Sequence, residues 1–302
     1  MSAVVAASRR MVLGGTDGAA LAAGLVTVTA WASAFVGIRA AGETLSPGAL
    51  ALGRLLVSSA VLGAVALARR EPLPHRRDLV AIAVYGVLWL GFYSVTLNAA
   101  EQRVDAGTAA MLVATGPVLI ALLAGLFLRE GFPPALFAGC SVAVGGTVLI
   151  AVATSQTGTR AGVGAALCVA AALAWAIAVI VQKPVLARVS PFQVTWLGCA
   201  AATVACLPFA PTLAIESASA GASAIGLTIY LGVVPTALGF AAWTFALRRT
   251  SAGRMGSLTY LVPPIAIVLG WVVLGEAPPW LAAVGGAVCL AGVYLARRGP
   301  RR

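Results

Sequence analysis

Trp31-Ala32-Ser33-Ala34-Phe35-Val36-Gly37-Ile38-Arg39 closes an apolar run that begins at Ala19. A counterpart, Trp175-Ala176-Ile177-Ala178-Val179-Ile180-Val181-Gln182-Lys183, lies 144 residues later. Each copy places a tryptophan eight residues before a cation, and Ser46-Pro47 returns at the same offset as Ser190-Pro191. The chain reads as one unit used twice. Alone, the segment after Arg9-Arg10 looks like a twin-arginine export signal with Ala32-Ser33-Ala34 as its cleavage site. A duplicate in mid-chain, over 163–183, cannot act as a signal, so both copies read as spanning helices.

Composition agrees. Of 302 residues, 61% are hydrophobic and 10% charged, against about 25% charged in a soluble domain. That leaves too little polar surface for a water-facing exterior. A bilayer span needs ~20 mostly apolar residues, and only helices or closed barrels satisfy every backbone group in lipid. The runs here are long and do not alternate, which selects helices. The net charge of +11 reads as arginines that orient the chain. Nucleic acid is not an expected partner, because no basic face with interleaved aromatics appears. Cys140, Cys168, Cys199, Cys206 and Cys289 lie in apolar runs without metal-ligand spacing and read as small buried hydrophobes. His75 sits among Arg69, Arg70, Arg76 and Arg77 in a solvated loop. Neither metal nor cofactor is expected, and no residue is read as catalytic.

Ten spans are expected: 19–39, 48–68, 79–99, 106–128, 133–152, 162–182, 191–210, 223–246, 253–274 and 280–296. With the N-terminus cytoplasmic, sixteen cations fall on cytoplasmic segments, against Arg39, Arg103 and Arg160 at external ends. That bias puts both termini inside. The repeat continues at offset 146: Ala106-Gly107 returns as Ala252-Gly253, Pro117 as Pro263, Glu130 as Glu276, Pro133 as Pro279 and Gly139 as Gly285. Five spans are an odd number, so the second copy enters the membrane inverted, as in many secondary transporters. The expected fold is an all-α polytopic membrane protein: ten transmembrane helices in two inverted-topology five-helix repeats around a central cavity. Its parts are a cytoplasmic tail over 1–18, a first repeat over 19–152, an external linker over 153–161, a second repeat over 162–297 and a basic tail over 298–302.

Together these features resemble the EamA-type transporters of the drug/metabolite transporter superfamily. The residues that carry the resemblance are the Trp31…Arg39 and Trp175…Lys183 spans, Ala106-Gly107-Thr108-Ala109-Ala110 with Pro117 and Leu128-Arg129-Glu130, and Ala246-Leu247-Arg248-Arg249-Thr250-Ser251-Ala252-Gly253 with Pro263 and Leu274-Gly275-Glu276. The closing Gly139…Gly145-Gly146 and Gly285…Gly292 helices match too, so the likeness covers about 19–297. It implies a cavity lined mainly by spans 1, 3, 4, 6, 8 and 9, and export or exchange of small metabolites or amino acids. Two features depart from the pattern. Glu101 stands where the second copy has Leu247, and span 1 lacks the membrane-embedded glutamate that smaller multidrug relatives use for proton exchange.

Candidate substrate-binding residues follow from depth and face. Trp31 and Trp175 lie ~12 Å along the helix from their cations, too deep for an interfacial belt. Core packing is one reading of such aromatics; a pair facing a shared cavity, each offering an indole N–H, is the other. In span 3, Tyr85, Trp89 and Phe92 fall at i, i+4 and i+7, one helical face, with Tyr93 beside them. Span 8 supplies Tyr230, Pro235 and Trp243. Pro117 and Pro263 interrupt spans 4 and 9, free the carbonyls of Val113 and Thr259, and read as hinges; Thr115 and Tyr260 are donors nearby. Asn98 ends span 3, either as a substrate contact or as a helix-end hydrogen bond. Arg54, ~10 Å inside span 2, reads as half of a structural ion pair with Glu43 or Glu101, with substrate-carboxylate binding as the alternative. Arg39 and Lys183 are expected to snorkel. Spans 5 and 10, with Ala135, Gly139 and Ala143 and with Gly285 and Cys289, read as close-packed scaffold.

These features point to a secondary or facilitative transporter working by alternating access, with amino acids, apolar or aromatic ones included, as expected cargo and export as the expected direction. Multidrug efflux is the alternative. No Walker loop is present to use ATP, and the scattered acids and single loop histidine argue against an embedded enzyme. A structural membrane protein remains a third class. The expected partners are a small-molecule substrate and the lipid bilayer of the bacterial inner membrane; the oligomeric state is left open, a monomer being compatible with the sequence.

Overall fold

Long apolar runs satisfy their backbone in lipid by forming helix, and the computed structural model, which describes residues 18–128, 134–155, 159–250 and 252–296, consists there of helices joined by short connectors. In chain order the helices are α1 (Gly18–Ala41), α2 (Pro47–Arg69), α3 (Arg76–Glu101), α4 (Ala106–Phe127), α5 (Pro134–Ser155), α6 (Thr159–Val185), α7 (Pro191–Ser219), α8 (Ala222–Arg249), α9 (residues 252–274) and α10 (Trp280–Ala296). Seven of them, α1 to α4 and α6 to α8, are long and apolar enough to cross a membrane. The tails with Arg9, Arg10 and the C-terminal arginines, the run Arg129–Pro133 with Glu130, linker residues 156–158 and Ser251 lie outside the described residues. Helix α7 was expected to stop near 210; it continues through a 3-10 turn at Leu207–Phe209 to Ser219.

The duplicated Ser-Pro pairs start helices. Ser46 and Ser190 hold extended backbone, and the following proline takes the first helical position, where its missing N–H costs nothing. Asp105 caps α4 by accepting from the Thr108 amide at 2.8 Å. His75, read as a loop residue, accepts from the Arg77 amide and caps α3.

Polar contacts gather at two ends. At one, Arg39 pairs with Glu276 at 2.8 Å, Gln102 donates to the carbonyls of Gly42 and Leu45, the Ser46 amide donates to Glu216, and Arg160 donates to the carbonyl of Gln102. At the other, Arg188 pairs with Asp78, Ser190 donates to Glu71, and Gln193 donates to the Pro72 carbonyl at 2.7 Å. The hydrogen bonds to Asp78 raise the Arg188 pKa above the ordinary arginine value. Successive helices thus run from one end to the other and back.

Packing is crossed between the halves. Helix α1 lies against α8 and α9, whereas α6 lies against α3 and α4. Helices α5 and α10 pack along each other away from the centre, and none of the cavity walls described below belongs to them. Their closeness rests on glycine: a Cβ on Gly285 would stand 2.8 Å from the Gly146 carbonyl oxygen.

Candidate functional site

Four tryptophans from four helices meet at the centre: Trp31 of α1, Trp89 of α3, Trp175 of α6 and Trp243 of α8. Trp89 and Trp175 stack at 5.9 Å, Trp31 meets Trp175 edge-on at 6.2 Å, and Trp31 and Trp243 lie 5.2 Å apart. Phe240 joins at 4.9 Å from Trp89. Such offset and edge-to-face pairs are favourable beyond their buried area. The Trp175 ring rests on Gly116 of α4, where an added Cβ would stand 2.3 Å from the ring.

On this layer sits a cavity. Its walls are Trp31, Ala34, Phe35 and Ile38 of α1, Trp89, Tyr93 and Leu97 of α3, Ala110, Val113 and Ala114 of α4, and Thr259, Val262 and Pro263 of α9, with Trp175, Phe240 and Arg54. On α1 and α3 these residues climb from the tryptophans toward Arg39 and Glu101, ~11 Å of helix. The aromatic layer is therefore the floor, and the Arg39–Glu276 end is the roof.

The polar groups in this apolar space are few. Arg54 is buried, and its Nε donates to Thr236 Oγ1 of α8 at 3.0 Å. Among the described residues no carboxylate lies within ion-pair distance of it, so the expected structural salt bridge with Glu43 or Glu101 is not formed. The Trp31 indole N–H donates to the Pro235 carbonyl at 3.2 Å. The Trp175 N–H is buried without a partner. Of the two indole donors expected, one is thus already used. At the roof, Arg39 Nη1 donates to the Glu101 carbonyl at 2.8 Å, and at the opposite end Lys183 Nζ donates to the Leu247 carbonyl at 2.6 Å. Both cations bind helix-end carbonyls instead of only snorkelling. The two contacts are repeat-equivalent, since 39 and 183, like 101 and 247, hold matching places in the two copies.

The structure brings Trp31, Trp89, Tyr93, Trp175 and Pro263 to the cavity. Tyr85 and Trp243 stand fully buried behind the wall, with Tyr85 5.9 Å from Trp89 and Trp243 donating to Gln182. Asn98 donates to the Pro47 carbonyl, tying α3 to the start of α2. Thr115 donates to Leu112 within its own helix, and Tyr260 is half-buried outside the cavity walls. Tyr230 is 36% exposed on the outer side of α8, where it shares a hydrogen bond with Ser33. Pro117 packs beside Gly256 rather than on the cavity. Phe92 belongs to no common face with Tyr85 and Trp89: it is 51% exposed, and Tyr93 takes the inward place. The cause is a π-helical stretch, Gly86–Tyr93, whose i→i+5 bonding adds a residue per turn. A second π-helical stretch, Gly232–Leu238, sits 146 residues on. Helix α4 breaks at Ala114–Thr115, and α9 tightens to a 3-10 turn at Thr259–Leu261, both at the cavity wall. The reading of the sequence missed Phe35 and Phe240 as wall residues and ranked a structural ion pair for Arg54 above substrate binding.

An apolar multi-pass bundle with an aromatic cavity and one buried guanidinium defines a membrane protein built around a small-molecule site. The chain belongs to the EamA-like transporter family, whose pattern matches residues 18–152 and again 162–298. It is therefore a multi-pass membrane transporter of the drug/metabolite transporter superfamily and not an enzyme. It is 40% identical over 274 residues to a probable terminal-alkyne amino-acid exporter of Streptantibioticus cattleyicolor, covering 91% of this chain and 92% of that one. It is 34% identical to the uncharacterized transporter YdfC of Bacillus subtilis, over 87% of this chain and 86% of that one. A probable amino-acid metabolite efflux pump of Salmonella typhimurium is 26% identical, over 90% and 92%. A crystal structure at 22% identity matches with a TM-score of 0.65, covering 93% of this chain and 98% of the other; that likeness concerns the fold alone.

Proposed function

We propose that the protein exports small amphipathic amino acids, apolar or aromatic ones, across the bacterial inner membrane by alternating access, with both termini cytoplasmic. The observation that carries this reading is Arg54, a guanidinium held at Thr236 in a cavity otherwise walled by tryptophan, phenylalanine and aliphatic side chains. A buried guanidinium without an acid at ion-pair distance suits a substrate carboxylate, and the aromatic floor suits an apolar side chain. The unpartnered Trp175 N–H is a second donor. Two relatives bear names that specify amino-acid export or efflux. The same guanidinium disfavours cationic amphiphiles and so argues against general multidrug efflux.

Ten crossings in two inverted five-helix copies supply the moving parts of this reading. Its support is the repeated cation–carbonyl contact, the crossed packing of α1 and α6, and the paired breaks in α3/α8 and α4/α9. Pro117 and Pro263, beside the latter breaks, serve as hinges.

Counterflow of radiolabelled L-amino acids in proteoliposomes tests the proposal. The wild-type protein is expected to exchange apolar members of the set, and Arg54→Gln to raise KM about 10- to 100-fold, the size of one lost charge-assisted contact. Absence of exchange across all twenty, with folded protein, would refute it.

A further inference from the structure

Glu101 is the acid that the second copy replaces with Leu247, and nothing so far has given it work. It is 1% exposed, and neither carboxyl oxygen has a hydrogen-bond partner. It follows Leu97, a cavity wall, by one helical turn on α3, and lies at the roof end, where its carbonyl accepts from Arg39. Burying an ionised carboxylate without hydrogen bonds costs several kcal/mol. The structural duty of the position needs no acid: Leu247 accepts from Lys183 through its backbone just as Glu101 accepts from Arg39. The backbone contact therefore does not account for an acid at this position. The charged and titratable groups that face it are Arg39 from α1, Arg54 from α2, Tyr93 on α3, Asp105 beyond α3, Cys168 from α6 and Glu276 beyond α9.

We infer that Glu101 is the site where a proton and the substrate's ammonium group exclude one another, which makes export an exchange of one proton for one amino acid. The inference rests on the amino-acid reading above. In a cavity open to the cytoplasm, Glu101 gives its proton to water and, as carboxylate, takes the ammonium while Arg54 takes the substrate carboxylate. After release outside, Glu101 takes a proton from external water, and the neutral acid returns. The zwitterion carries no net charge, so each cycle moves one positive charge inward. The span-1 glutamate of smaller multidrug relatives is absent, and the coupling acid instead stands at the end of α3.

Two arms test this. Infrared spectra of the protein in lipid, titrated across pH, read Glu101 without any substrate. A protonated-carboxyl band that disappears in Glu101→Gln and in Glu101→Leu is expected, the latter variant copying the residue that the fold accepts at 247. The second arm uses proteoliposomes loaded with a labelled mixture of the twenty L-amino acids at clamped zero membrane potential. Wild-type protein should respond to an acid exterior by about tenfold per pH unit in the final gradient, as one-for-one exchange requires. Glu101→Gln should lose that response and raise the KM for counterflow, because an amide offers the ammonium no carboxylate. A variant responding like wild type, or spectra without a Glu101-dependent band, overturns the inference. Wild-type protein that transports none of the amino acids overturns the amino-acid reading and the ammonium step with it; the infrared band then decides the proton site alone.

Discussion

Trp31 and Trp175 hold equivalent places in the two copies but spend their N–H groups differently, and this separates their mutants. Trp31 donates to Pro235, so Trp31→Phe leaves a buried carbonyl short of a donor and should cost about 1–3 kcal/mol of stability. Trp175 has no such partner. Trp175→Phe should therefore leave unfolding in detergent nearly unchanged while weakening substrate affinity in counterflow. Unaltered transport by Trp175→Phe would remove the indole from the substrate's contacts. The two tryptophans were legible because duplication exposes depth and placement in one comparison. Arg54 was legible as an intramembrane cation, but whether an acid lies beside it is a matter of distance across helices, which no spacing along one chain encodes. Tyr230 misled for the opposite reason, since an aromatic on the right helix still has an outward face, and the low polarity of every span removes the periodic contrast that would mark that face.

At the level of elements, helix lengths and starts followed from apolar runs and from Ser-Pro and Asp caps. The faces of α3 and α8 did not follow, because a π-helical stretch shifts every later residue around the axis and its backbone cause leaves no motif. The scaffold reading of α5 and α10 yields a sharper expectation. The Gly285 backbone approaches that of Gly146 too closely for a side chain. Gly285→Leu should separate the two helices and destabilise the protein by about 1–3 kcal/mol or more, visible as a lower melting temperature in detergent. Because no described residue of either helix is among the cavity walls, the surviving folded fraction should bind substrate with unchanged affinity. A selective loss of affinity instead would mean that α5 and α10 transmit to the cavity.

For the whole molecule, the division of polar contacts into two ends makes orientation measurable. In a variant without its native cysteines, Gly221→Cys, in the short connector between α7 and α8, should react with a membrane-impermeant maleimide added outside intact cells. His75→Cys should react only after the membrane is opened. The reverse pattern would invert the charge-based orientation. Overall architecture was the most readable level because it depends on sums over many residues: total apolarity, the bias of arginines and the persistence of one offset. The cavity depends on a few contacts between helices far apart in the chain, and these the sums do not contain. The floor of that cavity has an optical side. Four of the protein's seven tryptophans stand with ring centroids near enough for their excited states to mix, as at the 5.2 Å between Trp31 and Trp243. The near-ultraviolet circular dichroism of the unlabelled protein should therefore carry an exciton signal that belongs to the floor and moves whenever the floor moves, so that opening and closing can be followed by light in real time.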